Sequence, residues 1–470
     1  PQPPRLTRNL NKVDWDLFRG EVEERVASRV TEMDLHEKAS FLVDAINQTL
    51  DKQAPPTAPK PKSLPRWWTE ELGDLKKELR RLAKQKKRRP AEVARFHGLR
   101  REYQHAMQKA SKDSFRNFCS SASSVKELSG MVKVLSTPPT FSALIADSQG
   151  NAPTTHSQSH LNLLNHHFPS HETTPIQVLD DPLPPDTEDD PIMELITPSI
   201  VRNALKSFGP KKQAGPDGIR PKVLRSLGWE AIGLITEIYR ESISTATIPR
   251  PFLHMQVVFI PKDKPDKSSP KSFRPITLAS FLLKGLERIV QWHFNETILQ
   301  NPLSNQHAYT KGRSCDSALS EVVDRMERGL IKKEHSLLVS LDCSGAFDNL
   351  TYDSSVQALR DAGVSPRITK WYRSLLANRK VDSEMYGQTR TIFPTRGNPQ
   401  GGVLSPLVWN FAINRLLTKF RAEQTVNDLG RCGIKAAGYA DDVLLMGQGD
   451  DPLRLIGDMQ RAINRAVRWA

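Results

Sequence analysis

Cysteine is scarce in this sequence, with only four residues among 470. They lie far apart, at Cys119, Cys315, Cys343 and Cys432. No two have the spacing of a zinc-ligand pair, so structural zinc and a disulfide framework are both disfavoured. Such cysteine usage is typical of a reducing compartment, and we expect an intracellular protein, in the nucleus and the cytoplasm.

Long uncharged apolar runs and a signal peptide are also missing. A membrane-spanning or secreted protein is therefore not expected. Hydrophobic residues make up 38% and charged residues 26% of the chain, which is typical of a globular protein with about two to four domains at this length. The chain starts at Pro1 and stops in the amphipathic pattern "MQRAINRAVRWA", so we expect an internal fragment of a longer protein.

Negative charge is in deficit, because the net charge is +14 and the isoelectric point is near 9.6. A balance this basic favours a polyanionic partner, most simply a nucleic acid. Residues 66–116 contain 16 basic and 7 acidic residues, and leucines at helical spacing predict an amphipathic helix there. A solvated helix face is the ordinary alternative. We favour an arm that contacts nucleic acid through its densest stretch, Lys84, Lys86, Lys87, Arg88 and Arg89.

The composition divides the chain into three regions. Residues 1–120 are predicted to be a basic helical region. Residues 121–194 are predicted to be a connector that includes the exposed linker "DDPLPPDTEDDP". Residues 195–470 hold the patterns that carry chemistry. They begin with the helix "ITPSIVRNALKSFGP", for which Thr197 or Ser199 is the expected N-terminal cap.

Two adjacent aspartates, Asp441 and Asp442, interrupt the apolar run "AAGYADDVLLM". Adjacent buried carboxylates repel each other and are costly without a partner. An ordinary turn between two short strands would account for them. The alternative is a Mg²⁺ site at the tip of a hairpin, because hard cations prefer carboxylate oxygens and neutralise the repulsion. This second interpretation requires a further carboxylate elsewhere in the chain.

A partner carboxylate is found in "SLLVSLDCSGAFDNL", where an apolar strand runs into Asp342. If the two strands pair in one sheet, Asp342 and Asp441 can face the same pocket. Such a pair can bridge two divalent ions about 3.5–4 Å apart, the arrangement that catalyses in-line phosphoryl transfer. Asp348, farther along the same segment, is interpreted as the N-cap of a helix.

The segment "RGNPQGGVLSPLVWNFAINRLL" lies between these two strands. Gly397, Gly401 and Gly402 allow the backbone to approach a ligand closely, and Gln400 supplies an amide that can bind a nucleotide. A helix is predicted to begin directly after this loop, at Ser405. A glycine-rich loop is weak evidence alone, but its position between two acidic strand ends strengthens it.

"LDCSGAFD", "GNPQGGVLSP" and "YADD", in this order, resemble the three central palm motifs of reverse transcriptases. "FIPK", "FRPITL", "NQHAYTKGRSCDSAL" and "AGPDGI" are similar to motifs of the non-LTR, LINE-type retrotransposon branch. This resemblance covers residues 195–470. Residues 1–120 resemble, more weakly, the segment between endonuclease and polymerase in jockey-like polyproteins, through "VDWDLFRGEV" and "PRWWTEEL".

The resemblance implies a catalytic metal site. Asp342, Asp441 and Asp442 would be the catalytic residues and metal ligands, with Asp442 the least critical of the three. The backbone carbonyl of Cys343 would add a further ligand. The implied cofactor is a pair of Mg²⁺ ions, with Mn²⁺ as an alternative.

The resemblance also implies roles around the substrate. Phe347 would be the steric gate, where a bulky ring excludes a ribose 2′-hydroxyl. Gln400 and Gly401 would contact the incoming nucleotide. The remaining implied contacts are Lys262 and Arg274 with the triphosphate, and Gly312 and Arg313 with nucleic acid.

The implied fold is an α+β right-hand polymerase with palm and fingers, an antiparallel palm sheet, a preceding basic α-helical region and a truncated thumb. The implied reaction is RNA-directed DNA synthesis, with an RNA template, a target-DNA primer and dNTPs as partners. The alternative is a decayed or domesticated fragment that binds RNA without catalysis. An RNA-dependent RNA polymerase is disfavoured by Phe347 and by Tyr439-Ala440 before the aspartates. Gly402 and Trp409 depart from the family's frequent Ser and Phe.

Overall fold

The computed structural model describes residues 8–29, 32–57, 67–83, 90–121, 144–175, 190–262, 266, 268–299, 305–422 and 433–469. No helix within these ranges is long and apolar enough to cross a membrane. The predicted basic cluster lies outside them; its members are Lys84, Lys86, Lys87, Arg88 and Arg89.

Helices predominate in the described chain. They are α1 (Trp15–Ala27), α2 (Leu35–Gln53), α3 (Glu70–Ala83), α4 (Pro90–Ser121), α5 (His156–His167), α6 (Ile192–Leu195), α7 (Pro198–Lys206), α8 (Pro221–Leu224), α9 (Trp229–Ser244), α10 (Arg250–Leu253), α11 (Phe281–Thr297), α12 (Cys315–Ile331), α13 (Ala346–Asn349), α14 (Tyr352–Asp361), α15 (Pro366–Asn378), α16 (Ser405–Ala422) and α17 (Pro452–Trp469). The strands are β1 (His254–Pro261), β2 (Phe273–Leu278), β3 (His335–Asp342), β4 (Lys380–Met385), β5 (Gln388–Ile392), β6 (Lys435–Tyr439) and β7 (Asp442–Gly449).

The described residues form two compact units. The smaller contains residues 56–57, 67–83 and 90–121, and the larger contains the described parts of residues 8–55 and 144–469. In the smaller unit α3 and α4 pack against each other, and α3 buries Leu72 and Leu82. This burial confirms the amphipathic helix predicted from the leucine spacing.

Two sheets organise the larger unit. The first has the strand order β2-β1-β4-β5, and its only parallel pair is β1 with β4. The second has the order β3-β7-β6 and is antiparallel throughout. The predicted α+β class with antiparallel-rich sheets is confirmed. The predicted helix starts are also found, since Thr197 caps α7 and α16 begins at Ser405.

Residues 8–55 belong to the core of the larger unit. Asp34 begins α2 with a capping box, in which its carboxylate accepts from the Glu37 backbone and the Glu37 side chain accepts from the Asp34 backbone. The apolar faces of α1 and α2 pack against α9, and Phe18 and Ile46 are fully buried. The compact units therefore cut across the predicted 1–120 region. Composition alone could not predict this division, because the sequence pattern of an amphipathic helix does not identify the surface against which it packs.

Residues 144–175 are held on the first sheet by α5. His160 Nε2 lies 2.8 Å from the Ser383 hydroxyl on β4, and Arg390 on β5 donates to Ser157 at 2.8 Å. Glu172 and Phe393 exchange two backbone hydrogen bonds of 2.8 and 2.9 Å. Part of the predicted connector is therefore an integral layer of this sheet.

The packing of α5 makes a prediction about stability and pH. Burial, helped by the charge of Arg390, lowers the pKa of His160 to about 4 from the ordinary 6.5. Between these values the unfolded chain binds a proton that the folded chain does not, so stability falls as the pH is lowered through this window. We expect His160→Gln, which keeps an amide opposite Ser383, to lack the part of this pH-dependent fall in stability that comes from His160. Its melting temperature should fall less than that of the wild type between pH 6.5 and 4.5.

Thermal melts at matched pH values measure this difference. All other titrating groups are common to both proteins, so only the His160 contribution separates the two curves. Parallel curves would show that His160 takes up its proton equally in the folded and unfolded states.

Candidate active site

The two adjacent aspartates lie at the tip of a β-hairpin whose loop has two residues. Tyr439 pairs with Asp442, so Ala440 and Asp441 alone connect β6 to β7. Ala440 has a φ of +56°, a backbone conformation that residues with a Cβ seldom adopt. Val443 and Leu445 of β7 are buried beneath α16 and α17, which anchors the hairpin. The turn predicted from the sequence is therefore present, and it carries Asp441 at its second position.

The pairing of β3 with β7 brings Asp342 to the same tip. Asp342 lies directly opposite Asp442 in the antiparallel register. The Cys343 N–H donates to the carbonyl oxygen of Asp441 at 3.2 Å, which extends the pairing one step beyond the strand end. The structure thus brings together Asp342, Asp441 and Asp442, as expected if the strands paired.

The electrostatics of this tip reflect three neighbouring carboxylates. Burial raises the pKa of Asp442, and the charges of Asp441 and Asp342 raise it further. Burial likewise raises the pKa of the Cys343 thiol, with the three aspartates adding to the effect. A hard divalent cation would relieve this repulsion, and carboxylate oxygens are its preferred donors. Within the described residues, however, no three His, Cys, Asp or Glu side chains converge into a preformed metal cluster.

Phe347 lies next to this tip in the short helix α13. Its ring centroid is 6.0 Å from that of Trp409 on α16, and the side chain is half-buried. Gly345, with a φ of +64°, stands at the N-cap of α13. The prediction that Asp348 is an N-cap is therefore wrong, because Asp348 lies within the helix.

The Asp348 carboxylate instead accepts a hydrogen bond from His167. His167 Nδ1 lies 3.0 Å from Asp348 Oδ2, and its Nε2 lies 3.2 Å from the carbonyl oxygen of Pro270. Both ring nitrogens face acceptors, so both contacts are hydrogen bonds when the imidazole carries two protons. His167 thereby links α5 to the turn before β2 and to the helix that carries Phe347.

The glycine-rich loop packs against the Phe347 segment through its backbone. The Asn398 N–H donates to the Phe347 carbonyl at 2.8 Å. Gly397 has a φ of +81°, and a Cβ there would lie 2.7 Å from the carbonyl oxygen of Asp348. Gly397 is therefore required by a close backbone approach as well as by its dihedral angle.

The next turn of the loop packs against β2. The Thr277 N–H donates to the Gln400 carbonyl at 2.8 Å, and a Cβ at Gly401 would lie 2.6 Å from the Thr277 carbonyl. The side-chain oxygen of Gln400 is buried without a hydrogen-bond partner among the described residues. A buried polar atom in this state is a candidate contact for a ligand.

Gly402 departs from the frequent Ser of the resembled motif, and the structure gives a physical reason. A Cβ at Gly402 would lie 2.8 Å from the Ser405 hydroxyl and 3.2 Å from Glu287 Oε1. The buried Glu287 carboxylate already accepts from the backbone N–H groups of Val403 and Leu404, at 3.2 and 3.4 Å. Glu287 thus holds the end of the glycine-rich loop through two backbone N–H groups.

The other predicted contact residues lie on nearby segments. Arg274 is exposed on β2, and Lys262 follows β1 with its N–H bonded to Ser272. Gly312 has a φ of +77° in the turn before α12, and Arg313 donates to the Gln306 carbonyl at 2.9 Å.

Sequence reasoning missed three polar residues that hold the site: His167, Gln306 and Glu287. Each pairs with backbone or side-chain atoms far away in the sequence, so no local periodicity identifies it. Gln306 stands within the quoted "NQHAYTKGRSCDSAL", but an isolated uncharged amide gives no signal of burial.

Residues 260–470 match the family described as reverse transcriptase (RNA-dependent DNA polymerase). This chain contains a reverse transcriptase domain. The three aspartates, the Phe347 segment and the glycine-rich loop all lie within that domain.

Curated relatives align with this chain over 52% to 59% of its length. The Pol polyprotein from type-2 retrotransposable element R2DM of Drosophila melanogaster is 28% identical over 245 residues, covering 52% of this chain and 22% of the relative. That from type-1 element R1 of Bradysia coprophila is 30% identical over 267 residues, with 56% and 24% coverage. The RNA-directed DNA polymerase from mobile element jockey of Drosophila melanogaster is 21% identical over 284 residues, with 59% and 30% coverage.

The resemblance to non-LTR retrotransposon reverse transcriptases is thus confirmed at modest identity. The chain spans between 22% and 30% of the length of these three relatives.

The carboxylate cluster makes a prediction about metal-free stability. Because Asp441 and its neighbours repel one another, Asp441→Asn should raise the melting temperature in EDTA, by roughly 1–2 °C for a domain of this size. Added Mg²⁺ should raise the melting temperature of the wild type more than that of the variant. Asp450→Asn is the matched control, because Asp450 is exposed at the opposite end of β7.

Differential scanning fluorimetry with and without Mg²⁺ gives both readouts. Two results would contradict the idea that the carboxylates repel one another and that a cation relieves the repulsion. The first is an Asp441→Asn melting temperature below that of the wild type in EDTA, and the second is an equal increase in melting temperature for both proteins when Mg²⁺ is added.

Proposed function

We propose that this chain is the polymerase part of a non-LTR retrotransposon Pol protein and acts as an RNA-directed DNA polymerase. The observation that carries the proposal is the strand register, which sets Asp342 opposite Asp442 and beside the turn that contains Asp441. A turn with no chemical role would not require a third carboxylate from another strand. The alternative is RNA binding without catalysis, which needs none of these carboxylates.

In the proposed mechanism Asp342 and Asp441 hold two Mg²⁺ ions, with Mn²⁺ as an alternative, and Asp442 and the Cys343 carbonyl assist. The donor set fits, because three carboxylates lie at the same end of the sheet, and burial with the charges of Asp441 and Asp342 raises the pKa of Asp442. When bound, such ions stabilise the charge on the attacking and leaving oxygens of phosphoryl transfer. The register of β3 and β7 keeps the carboxylates together without rearrangement of the sheet.

The remaining residues are proposed to position the nucleotide. The unpartnered buried oxygen of Gln400 is available to accept a hydrogen bond from it, and the tight turn at Gly401 lets the backbone approach. Phe347 is proposed to exclude a ribose 2′-hydroxyl, and its contact with Trp409 limits how far the ring can move away. Arg274 and Lys262 are proposed to bind the triphosphate.

The larger unit is proposed to have the palm and fingers of a right-hand polymerase. We assign β3-β7-β6 to the palm and β2-β1-β4-β5 to the fingers. The template is proposed to be the element's RNA, and the primer the nicked target DNA. The basic residues around Lys84 to Arg89, with Gly312 and Arg313, are proposed to contact the nucleic-acid backbone, a type of binding that weakens steeply with salt.

The central prediction concerns Asp342. Asp342→Asn in the 470-residue chain should reduce primer extension on an RNA template by at least about 100-fold, because it removes a ligand of the ion that stabilises transition-state charge. Binding to the primer–template should change little, since that affinity comes mainly from phosphate contacts. Asp450→Asn should extend primers like the wild type.

Primer-extension rates and fluorescence anisotropy measure the two properties separately. Extension by Asp342→Asn at the wild-type rate would contradict the proposal. A wild-type chain that binds primer–template but shows neither extension nor dNTP-dependent stabilisation would favour the alternative of RNA binding alone.

A second prediction tests sugar choice. Phe347→Ala should let ribonucleotides into the site, reducing the preference for dNTP over rNTP by on the order of 10–100-fold, because bulk alone separates the two sugars at this position. Phe347→Tyr keeps the bulk and should keep the preference. The ratio of kcat/KM for the two nucleotides is the measurement, and an unchanged ratio in Phe347→Ala would refute the gate.

A further inference from the structure

The turn that carries Asp441 is held by side chains from two distant segments. Ala440, which precedes Asp441, has a φ of +56°. Its N–H donates to Gln306 Oε1 at 3.2 Å. Its carbonyl oxygen accepts from the indole N–H of Trp409 at 2.8 Å and lies 3.4 Å from Gln306 Nε2. Both backbone groups of this left-handed residue are therefore fixed from outside the hairpin.

Gln306 is itself fixed before it reaches the turn. It is 0% exposed, and its Oε1 also accepts from the Ala308 N–H at 3.1 Å. Because two N–H groups point to the same atom, that atom must be the amide oxygen, which leaves the amide nitrogen facing the Ala440 carbonyl. The surrounding backbone runs beside β6, where His307 and Asn305 each form a backbone hydrogen bond with Gly438.

Trp409 reaches the turn from α16. It is 4% exposed in α16, and its ring also lies against Phe347. Phenylalanine, the frequent residue at this position of the resembled motif, has the ring but no N–H. The departure noted in the sequence thus supplies a donor to Ala440 that a phenylalanine could not provide.

We propose that Gln306 and Trp409 are positioning residues that hold Ala440 in its left-handed conformation and so fix the Asp441 carboxylate against Asp342. The inference rests on the proposed function in taking Asp441 as a metal ligand. We call these two side chains, Gln306 and Trp409, the clamp. Without the clamp, Ala440 relaxes toward ordinary φ values, and the turn samples orientations in which the two carboxylates no longer share an ion. The clamp also couples the aspartate turn to the Phe347 ring through one side chain.

The experiment compares four substitutions in the 470-residue chain: two that remove a contact to Ala440, one matched control, and Asp342→Asn. Trp409→Phe keeps the ring and removes only the N–H, and Gln306→Met keeps similar volume and removes the amide. Trp371→Phe is the matched control, because this fully buried indole donates to Ser242 at 3.0 Å in the other hydrophobic cluster. It loses the same kind of hydrogen bond away from the turn.

Two readouts follow the turn directly. Hydrogen–deuterium exchange of the peptide covering residues 436–446, without metal, should be faster by roughly 3–10-fold in Trp409→Phe and more in Gln306→Met. Binding of Mn²⁺, followed by electron paramagnetic resonance, should weaken by similar factors. Trp371→Phe should match the wild type in both measurements. Asp342→Asn is included as the variant that removes a ligand outright.

The outcomes separate this inference from the proposed function. Wild-type exchange and Mn²⁺ affinity in both clamp variants, with Mn²⁺ binding lost in Asp342→Asn, would overturn the clamp and leave the metal site standing. Faster exchange in the clamp variants but not in Trp371→Phe supports the clamp. If Mn²⁺ binding is insensitive to Asp342→Asn, the metal site fails, and the exchange measurement alone decides whether the clamp exists. Equal acceleration in Trp371→Phe would overturn it, because the effect would be general loosening.

Discussion

The hydrogen-bonded pairing of β3 with β7 is the constraint on which the candidate site depends. In an antiparallel pair, a slip of one residue turns every side chain to the other face of the sheet. The observed register sets Asp342 opposite Asp442, and the backbone bond from Cys343 to Asp441 continues it to the tip. Buried aliphatic residues on β7 specify this register because only one face can be covered by α16 and α17. Apolar packing therefore offsets the repulsion of the carboxylates that it brings together.

Main-chain contacts hold the glycine-rich loop against the Phe347 segment and β2. Asn398 bonds the Phe347 backbone, and Gln400 bonds the β2 backbone at Thr277. Contacts of this kind leave the side-chain oxygen of Gln400 without a hydrogen-bond partner among the described residues. They also explain why glycine recurs in the loop, since at Gly397 and Gly401 the facing carbonyl oxygens leave no space for a Cβ. The loop geometry is thus set by backbone separation rather than by side-chain packing.

Much of this arrangement follows from local sequence signals. The strands that end in Asp342 and begin at Asp442 were predicted because apolar runs meet acidic residues there, and the helix starts at Thr197 and Ser405 follow from ordinary capping chemistry. The extent of the larger unit was not predictable in the same way. Residues 8–55 and 144–175 carry ordinary helical patterns, and nothing in those patterns names their partners.

Hydrogen bonds between buried polar side chains could not be predicted from local sequence patterns either. His167 and Asp348 lie far apart in the sequence, and their contact depends on the complete fold of α5 against the first sheet. The N-cap interpretation of Asp348 used only its neighbours along the chain, and so missed this partner. Trp409 was visible as a departure from the resembled motif, but its value as a hydrogen-bond donor became evident only with Ala440 beside it.

The packing of α1 against α9 has a consequence for the order of events during synthesis. The carboxylate of Glu23, near the end of α1, accepts from the backbone N–H groups of Glu230 and Ala231, which lie 207 and 208 residues farther along the chain. At roughly 5–20 residues per second, α1 leaves the ribosome about 10–40 s before its partner exists. During that interval α1 can pack against α2 but not against α9. The packing of α1 is therefore completed only after α9 has been synthesised.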